Sequence, residues 1–169
     1  FMPRSLRIMR GLSLLAMVPL AFRSPAKADG NQHVLMRYPS LHGESIVFVA
    51  HGNLWKAPRQ GGAAQRLTAD AGQDLMPRFS PDGKWIAFTA SYQGNRDVYV
   101  MPASGGEARR LTYHSDIVPR APDRWGPDNL VTTWTPDSQA IVFLSRRKAW
   151  NSWLSQPYTV PLTGGLPTA

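Results

Sequence analysis

FSPDGKWIAF, residues 79–88, and WTPDSQAIVF, residues 134–143, are two versions of one pattern. Pro, Asp, Ile and Phe recur at the same four offsets. The first half has turn chemistry. Pro81 pre-sets φ for the first corner of a type I turn, Asp82 accepts a hydrogen bond from a nearby backbone N–H, and Gly83 takes the left-handed position that closes a bulged hairpin. At Gly83's place the second copy has Ser138, where positive φ costs about 1 kcal/mol more than for glycine. The second half is an apolar, β-branched and aromatic run that suits a buried pleated surface.

The pattern extends in both directions. Three units align: openings RYPSLHGE (37–44), RFSPDGK (78–84) and TWTPDSQ (133–139); first runs SIVFVA (45–50), WIAFTA (85–90) and AIVFLS (140–145); second runs NLWKAP (53–58), DVYVMP (97–102) and PYTVPL (157–162). Each unit then has a Gly-Gly pair, at 61–62, 105–106 and 164–165. The first two units finish on AAQRLT (63–68) and EARRLT (107–112). Ile46, Ile86 and Ile141 lie 40 and 55 residues apart. The surplus before the third unit is YHSDIVPRAPDRWGPDN (113–129), a Pro-rich loop, and RRKAWNSWLSQ (146–156) is a smaller insertion inside that unit.

Four short strands per repeat at this period define a propeller blade. The first runs are apolar on both sides, as expected of sheets covered on both faces. The expectation is an all-β chain of four-stranded antiparallel blades, at about 35–71, 72–112 and 129–169, with an insertion loop at 113–129. Three blades form an arc, an incomplete ring with unpaired edges. The third unit reaches Ala169 before a counterpart of QRLT or RRLT, so a truncated third blade is expected.

Net charge is +8, which invites a nucleic-acid reading until the charge is located. Residues 1–28 hold Arg4, Arg7, Arg10, Arg23 and Lys27 and no acid. The remainder carries 14 basic against 11 acidic side chains, too even for a nucleic-acid footprint. The first 28 residues read as a secretory signal: an arginine-bearing n-region, the apolar run GLSLLAMVPLAF (11–22), and Ala26 and Ala28 in an A-x-A cleavage pattern. The run is short for a membrane span, so the membrane is met only in transit; the other reading of the segment is an uncleaved anchor or a buried helix. Export to the periplasm or medium follows. The chain has no cysteine, which rules out disulfides and thiolate metal sites.

PDGKWIAF, then DVYVM, then SGGEARRLT, resembles the WD-like repeat of TolB and of peptidase propellers. RYPSLHGESIVFVAHGNLWKAP after a signal, RLTYHS, and a proline-rich insertion before WTPD are similar to the N-terminal propeller of tricorn-like serine peptidases. The resemblance covers residues 34–169. It implies a propeller portion of an exported peptidase whose PDZ-like and catalytic domains lie outside this sequence. Peptide would be gated or guided toward them. The alternatives are a TolB-like envelope module that binds a protein partner and a small lectin-like or ligand-binding propeller. The family's catalytic residues have no counterpart here, and no cofactor or metal is implied.

Few residues offer chemistry. His33, His42, His51 and His114 lack metal-ligand spacing, and His42 and His51 read as surface residues. His114-Ser115-Asp116 has the letters of a catalytic triad, but neighbouring side chains of an extended segment point to opposite sides. Asp82 and Asp137 read as turn residues rather than paired acids. Two loops hold candidates. Arg120 and Arg124, beside Trp125, read either as solvated arginines on a long loop or as guanidinium forks that suit a peptide carboxylate. Trp150 and Trp153, beside three basic residues, suit either a contact with a missing domain or another copy of the chain, or simple packing on blade edges.

Overall fold

The computed structural model describes residues 34–114, 128–148 and 154–169. The signal-like segment, Arg120, Arg124, Trp150 and Trp153 lie outside the described residues. All regular structure described is β. The first sheet holds β1 (Arg37–His42), β2 (Ser45–Ala50), β3 (Asn53–Pro58) and β4 (Gln65–Arg66), paired in that order. The second repeats this with β5 (Asp74–Phe79), β6 (Trp85–Ala90), β7 (Asp97–Pro102) and β8 (Arg109–Arg110). The third has β9 (Leu130–Trp134), β10 (Ala140–Ser145) and β11 (Gln156–Pro161). Every pairing is antiparallel.

The third sheet has three strands and, beyond them, one isolated bridge. Thr159 and Thr168 exchange two backbone hydrogen bonds, of 2.7 and 3.0 Å. Counted from the Gly-Gly turn, Thr168 stands where Gln65 and Arg109 stand in the other sheets. The bridge therefore has the register of the fourth-strand pairings of the other two sheets.

The strands β2, β6 and β10 follow the first runs of the repeat, and β3 and β7 the second. The fourth strands are two residues long rather than six, and a side chain explains why. The Leu54 and Val98 amides donate to the hydroxyls of Thr68 and Thr112 instead of a backbone carbonyl, so the ladder ends there.

The turn chemistry is as the residues require. Ser80 O accepts from Gly83 N at 2.9 Å, and Gly83 has φ +71°. Asp82 Oδ1 accepts from the Ser80 hydroxyl at 2.5 Å and from Lys84 N at 3.1 Å. Asp137 does the same with Thr135 at 2.5 Å and Gln139 N at 3.0 Å. These hydrogen bonds, the hydroxyl's foremost, hold both carboxyls below the usual carboxylate range. Both aspartates are corner residues. Ser138 does adopt positive φ, +61°.

Alternation along the strands assigns the core. Ile86, Phe88, Ala90, Tyr99 and Met101 pack with Val47, Val49 and Leu54 of the first sheet. Ala87, Val98 and Val100 face the other way, toward Val131, Ile141, Phe143, Tyr158 and Val160 of the third. The middle sheet is thus covered on both faces, and β6 is buried from Ile86 to Ala90. In β10, Ile141 and Phe143 are buried while Val142 and Leu144 are half-exposed, because one face meets the second sheet. The first strands β1, β5 and β9 approach one another, so the sheets converge along their inner edges.

Candidate functional site

The tight turns β1–β2, β5–β6 and β9–β10 and the Gly-Gly turns lie at one end of the sheets. The opposite end collects the β2–β3 connection, the residues after Thr68 and Thr112, and the starts of β5 and β9. The chain leaves the described residues after His114 and returns at Asp128 at this second end. It leaves again after Lys148 and returns at Leu154. The connections that carry Arg120, Arg124, Trp150 and Trp153 therefore start and finish here. The structure brings none of the four together, since none lies among the described residues.

Polar side chains lock the sheets at this end. Between the first and second sheets the lock is Asp74, at the start of β5. Its Oδ2 accepts the Thr68 hydroxyl and, at 3.1 Å, the Leu54 amide, while its own N–H donates to Gly52 O at 2.8 Å. Asp74 is 1% exposed. Burial pushes its carboxyl above the ordinary range, against the opposing pull of the Thr68 hydroxyl. The second oxygen, Oδ1, is buried without a hydrogen-bond partner.

Register matches this seam to the next. Leu75 pairs with Thr89, and Leu130 with Leu144, so Asn129 corresponds to Asp74. Asn129 is fully satisfied. Its Nδ2 donates to Arg96 O at 2.8 Å, and its Oδ1 accepts from Arg147 Nη2 at 2.9 Å. Arg147 lies over the Phe143 and Tyr158 rings, at 5.0 and 5.1 Å from their centroids. Burial pulls its guanidinium below the ordinary value. The carboxylate of this seam comes from Asp97, which takes Arg110 at 2.5 Å and Thr112 at 2.6 Å. Behind it, Asp128 accepts from the backbone N–H of Arg146 at 3.0 Å and from its Nε at 3.1 Å.

A cavity of about 440 Å³ opens beside Asp74, lined also by Arg37, Tyr38, His51, Gln73 and Leu75. Tyr38 and His51 have positive φ, +54° and +50°, as does Met76, +50°. Tyr38 and Met76 occupy the matching bulges of β1 and β5. Strained backbone thus sits at matching points of β1 and β5, with His51 in the β2–β3 turn.

The remaining residues singled out in the sequence are structural. His42 is exposed, bonded through Nε2 to Pro81 O at 3.1 Å, and packed on Phe79. His51 is exposed. His114 lies at the edge of the described residues, and Ser115 and Asp116 beyond it. Asp74, Asn129 and Arg147 were not legible as site residues. A faint signal exists: Asp74-Leu75 and Asn129-Leu130 each start six residues before the S/T-P-D turn.

Antiparallel sheets, two of four strands and one of three, converging on their first strands are blades of a β-propeller, here an arc of three that is not closed. Residues 33–169 match the family model described as the Tricorn protease N-terminal beta propeller domain. The chain belongs to that family. It is 37% identical over 133 residues to tricorn protease homolog 1 of Streptomyces coelicolor, covering 79% of this chain and 11% of the relative. It is 31% identical over 146 residues to a TolB homolog of Chlorobaculum tepidum, covering 80% of this chain and 33% of that protein. Among solved structures, that of the tricorn protease superposes with a TM-score of 0.63 at 24% identity, over 78% of this chain and 13% of the other. The chain therefore spans about a tenth of the length of the tricorn homolog it matches.

Proposed function

We propose that this chain is the non-catalytic propeller segment of an exported tricorn-like serine peptidase. It gates or guides peptides toward a catalytic domain encoded outside this sequence. The observation that carries this reading is the family match over residues 33–169. In the reading, Arg120 and Arg124 hold the carboxylate of a passing peptide, and Trp150 and Trp153 contact a further domain or another copy of the chain. The arginine-bearing first 28 residues direct export. A TolB-like role, recruiting an intact protein, is favoured by the TolB relative.

Peptide binding to the full chain tests the proposal. A peptide with a free C-terminal carboxylate is expected to bind without being cleaved. Its amide, and the Arg120→Ala and Arg124→Ala variants, are expected to bind several-fold more weakly. Equal binding of acid and amide would remove the carboxylate role. Cleavage would place catalysis in this chain, and binding of folded proteins but no peptide would favour the TolB-like role.

A further inference from the structure

Strand register makes the faces of the three sheets equivalent. Ile46 pairs with Leu41 and Ala57, Ile86 with Phe79 and Met101, and Ile141 with Trp134 and Val160. On the same faces Phe48 pairs with Trp55, Phe88 with Tyr99, and Phe143 with Tyr158. This is the entering face of each sheet. The second sheet packs it on the first, and the third packs it on the second. The receiving face is as regular. Val47 and Val49 of β2 receive the second sheet, and Ala87 and Thr89 of β6 receive the third. Val142 and Leu144 are their counterparts in β10, opposite Thr159 and Pro157 of β11.

Among the described residues, no sheet packs on two of these faces. One is the entering face of the first sheet. Leu41 is 55% exposed and Ile46, Trp55 and Ala57 are half-exposed, whereas Ile86, Met101, Ile141 and Val160 are at 0%. Phe48, at 7%, is more covered than its neighbours. The other is the receiving face of the third sheet, where Val142 and Leu144 are half-exposed and Pro157 is exposed. One chain cannot join these two faces, because its own second sheet lies between them. A second copy can, and both new seams would repeat a packing the chain already makes twice. Two arcs of three blades close within the usual ring of about four to eight, and a third copy would exceed it. A head-to-tail contact of this kind closes into a ring or runs on as a filament, and the closed pair leaves neither apolar face uncovered.

We propose that two copies of this chain pair head to tail, the entering face of each first sheet seated on the receiving face of the other copy's third sheet. Dilution returns the monomer, in which both faces stand open. The pairing rests on sheet packing and is independent of Trp150, Trp153 and the peptidase reading.

Sedimentation equilibrium of the full chain over a concentration series tests the proposal. The expected result is a monomer when dilute, a species of twice the chain mass when concentrated, and nothing larger. Leu41→Asp puts a carboxylate on the entering face and Leu144→Asp puts one on the receiving face. Neither residue is in a core cluster, so both variants are expected to melt as dilute monomers close to wild type. Each alone is expected to pair more weakly by roughly a hundredfold or more, since an unpaired carboxylate is buried at both seams. An equal mixture of the two variants keeps one seam unaltered, between the first sheet of the Leu144→Asp chain and the third sheet of the Leu41→Asp chain. It is expected to recover a one-to-one pair that neither variant forms alone. A dimer that survives Leu41→Asp, or a mixture that recovers nothing, would overturn the proposal by placing the contact elsewhere. A wild-type monomer at every concentration would overturn it too, as would a mass that climbs without limit, the mark of a filament.

Discussion

Gly83 and Ser138 occupy the same corner of consecutive blades with opposite solutions to one problem. A Cβ on Gly83 would sit 2.2 Å from the His42 ring, and φ there is +71°. Gly83→Ala is expected to destabilise by more than the ~1 kcal/mol set by backbone handedness, because the imidazole must also move. His42→Ala in the same chain should recover the steric part, as read by urea unfolding. Ser138 accepts the handedness cost and in return its hydroxyl receives Asp82 N of the neighbouring blade at 3.1 Å. Ser138→Ala is expected to lose about 1 kcal/mol, the usual net value of such a bond. Ser138→Gly loses the same bond but relieves the backbone, and should fall close to wild type. Asp74 supplies a pH signature. Its carboxyl is raised by burial, so the folded state gains from its protonation at low pH and that contribution is lost as pH rises through the folded value. Asp74→Asn is expected to be more stable than wild type at neutral pH, with the difference vanishing below about pH 4. A constant difference across pH would show that Asp74 titrates alike folded and unfolded.

The β-turn and the two runs after it were legible because each copy repeats the same local physics. Proline, a capping aspartate and a left-handed corner are set by neighbours in sequence. The ends of the strands were not legible, because other blades decide them. Thr68 and Thr112 stop β4 and β8 with hydroxyls aimed at the preceding strand. Asp74 extends β5 four residues ahead of the repeated opening by bonding to the first sheet. Asp74 and Asn129 differ in identity, and a long insertion precedes the second, so no pattern joined them in the sequence. The corner aspartates also make a prediction at this scale. Both carboxyls sit below the ordinary range through hydrogen bonds inside their turns. Their contribution is present above about pH 4 and is lost as pH falls through the lowered values. The double variant Asp82→Asn, Asp137→Asn keeps the acceptors and removes the charges. Its thermal midpoint should fall less steeply between about pH 4 and pH 2 than the wild type's, and parallel curves would detach the turns from acid sensitivity.

Burial across the three blades is uneven, and this sets how the molecule opens. The second sheet packs on both sides, with Ile86, Ala87, Phe88 and Ala90 at 0% exposure, whereas Val142 and Leu144 of β10 face away from it. Both clusters pass through the second sheet, so loss of that sheet removes each of them, while loss of an outer sheet removes one. Local opening follows the least-buried elements first. Amide exchange is therefore expected to be slowest in β6 and β7, faster in β2 and β10, and fastest in the two-residue strands β4 and β8. Phe88→Ala is expected to cost about 3–5 kcal/mol, the range for a buried aromatic, and to speed exchange in the first and second sheets together. Leu144→Ala, on a half-covered face, should cost about 1 kcal/mol and leave β6 protected. Any further blade that packed on β10 in solution would bury Leu144, raise the cost of its truncation toward that of a core leucine, and protect the third sheet as strongly as the second. Measuring the Leu144→Ala cost in the chain alone and again in a longer chain that continues beyond Ala169 would show directly whether that face is the next blade's seat. An unchanged cost would mean that the face stays open.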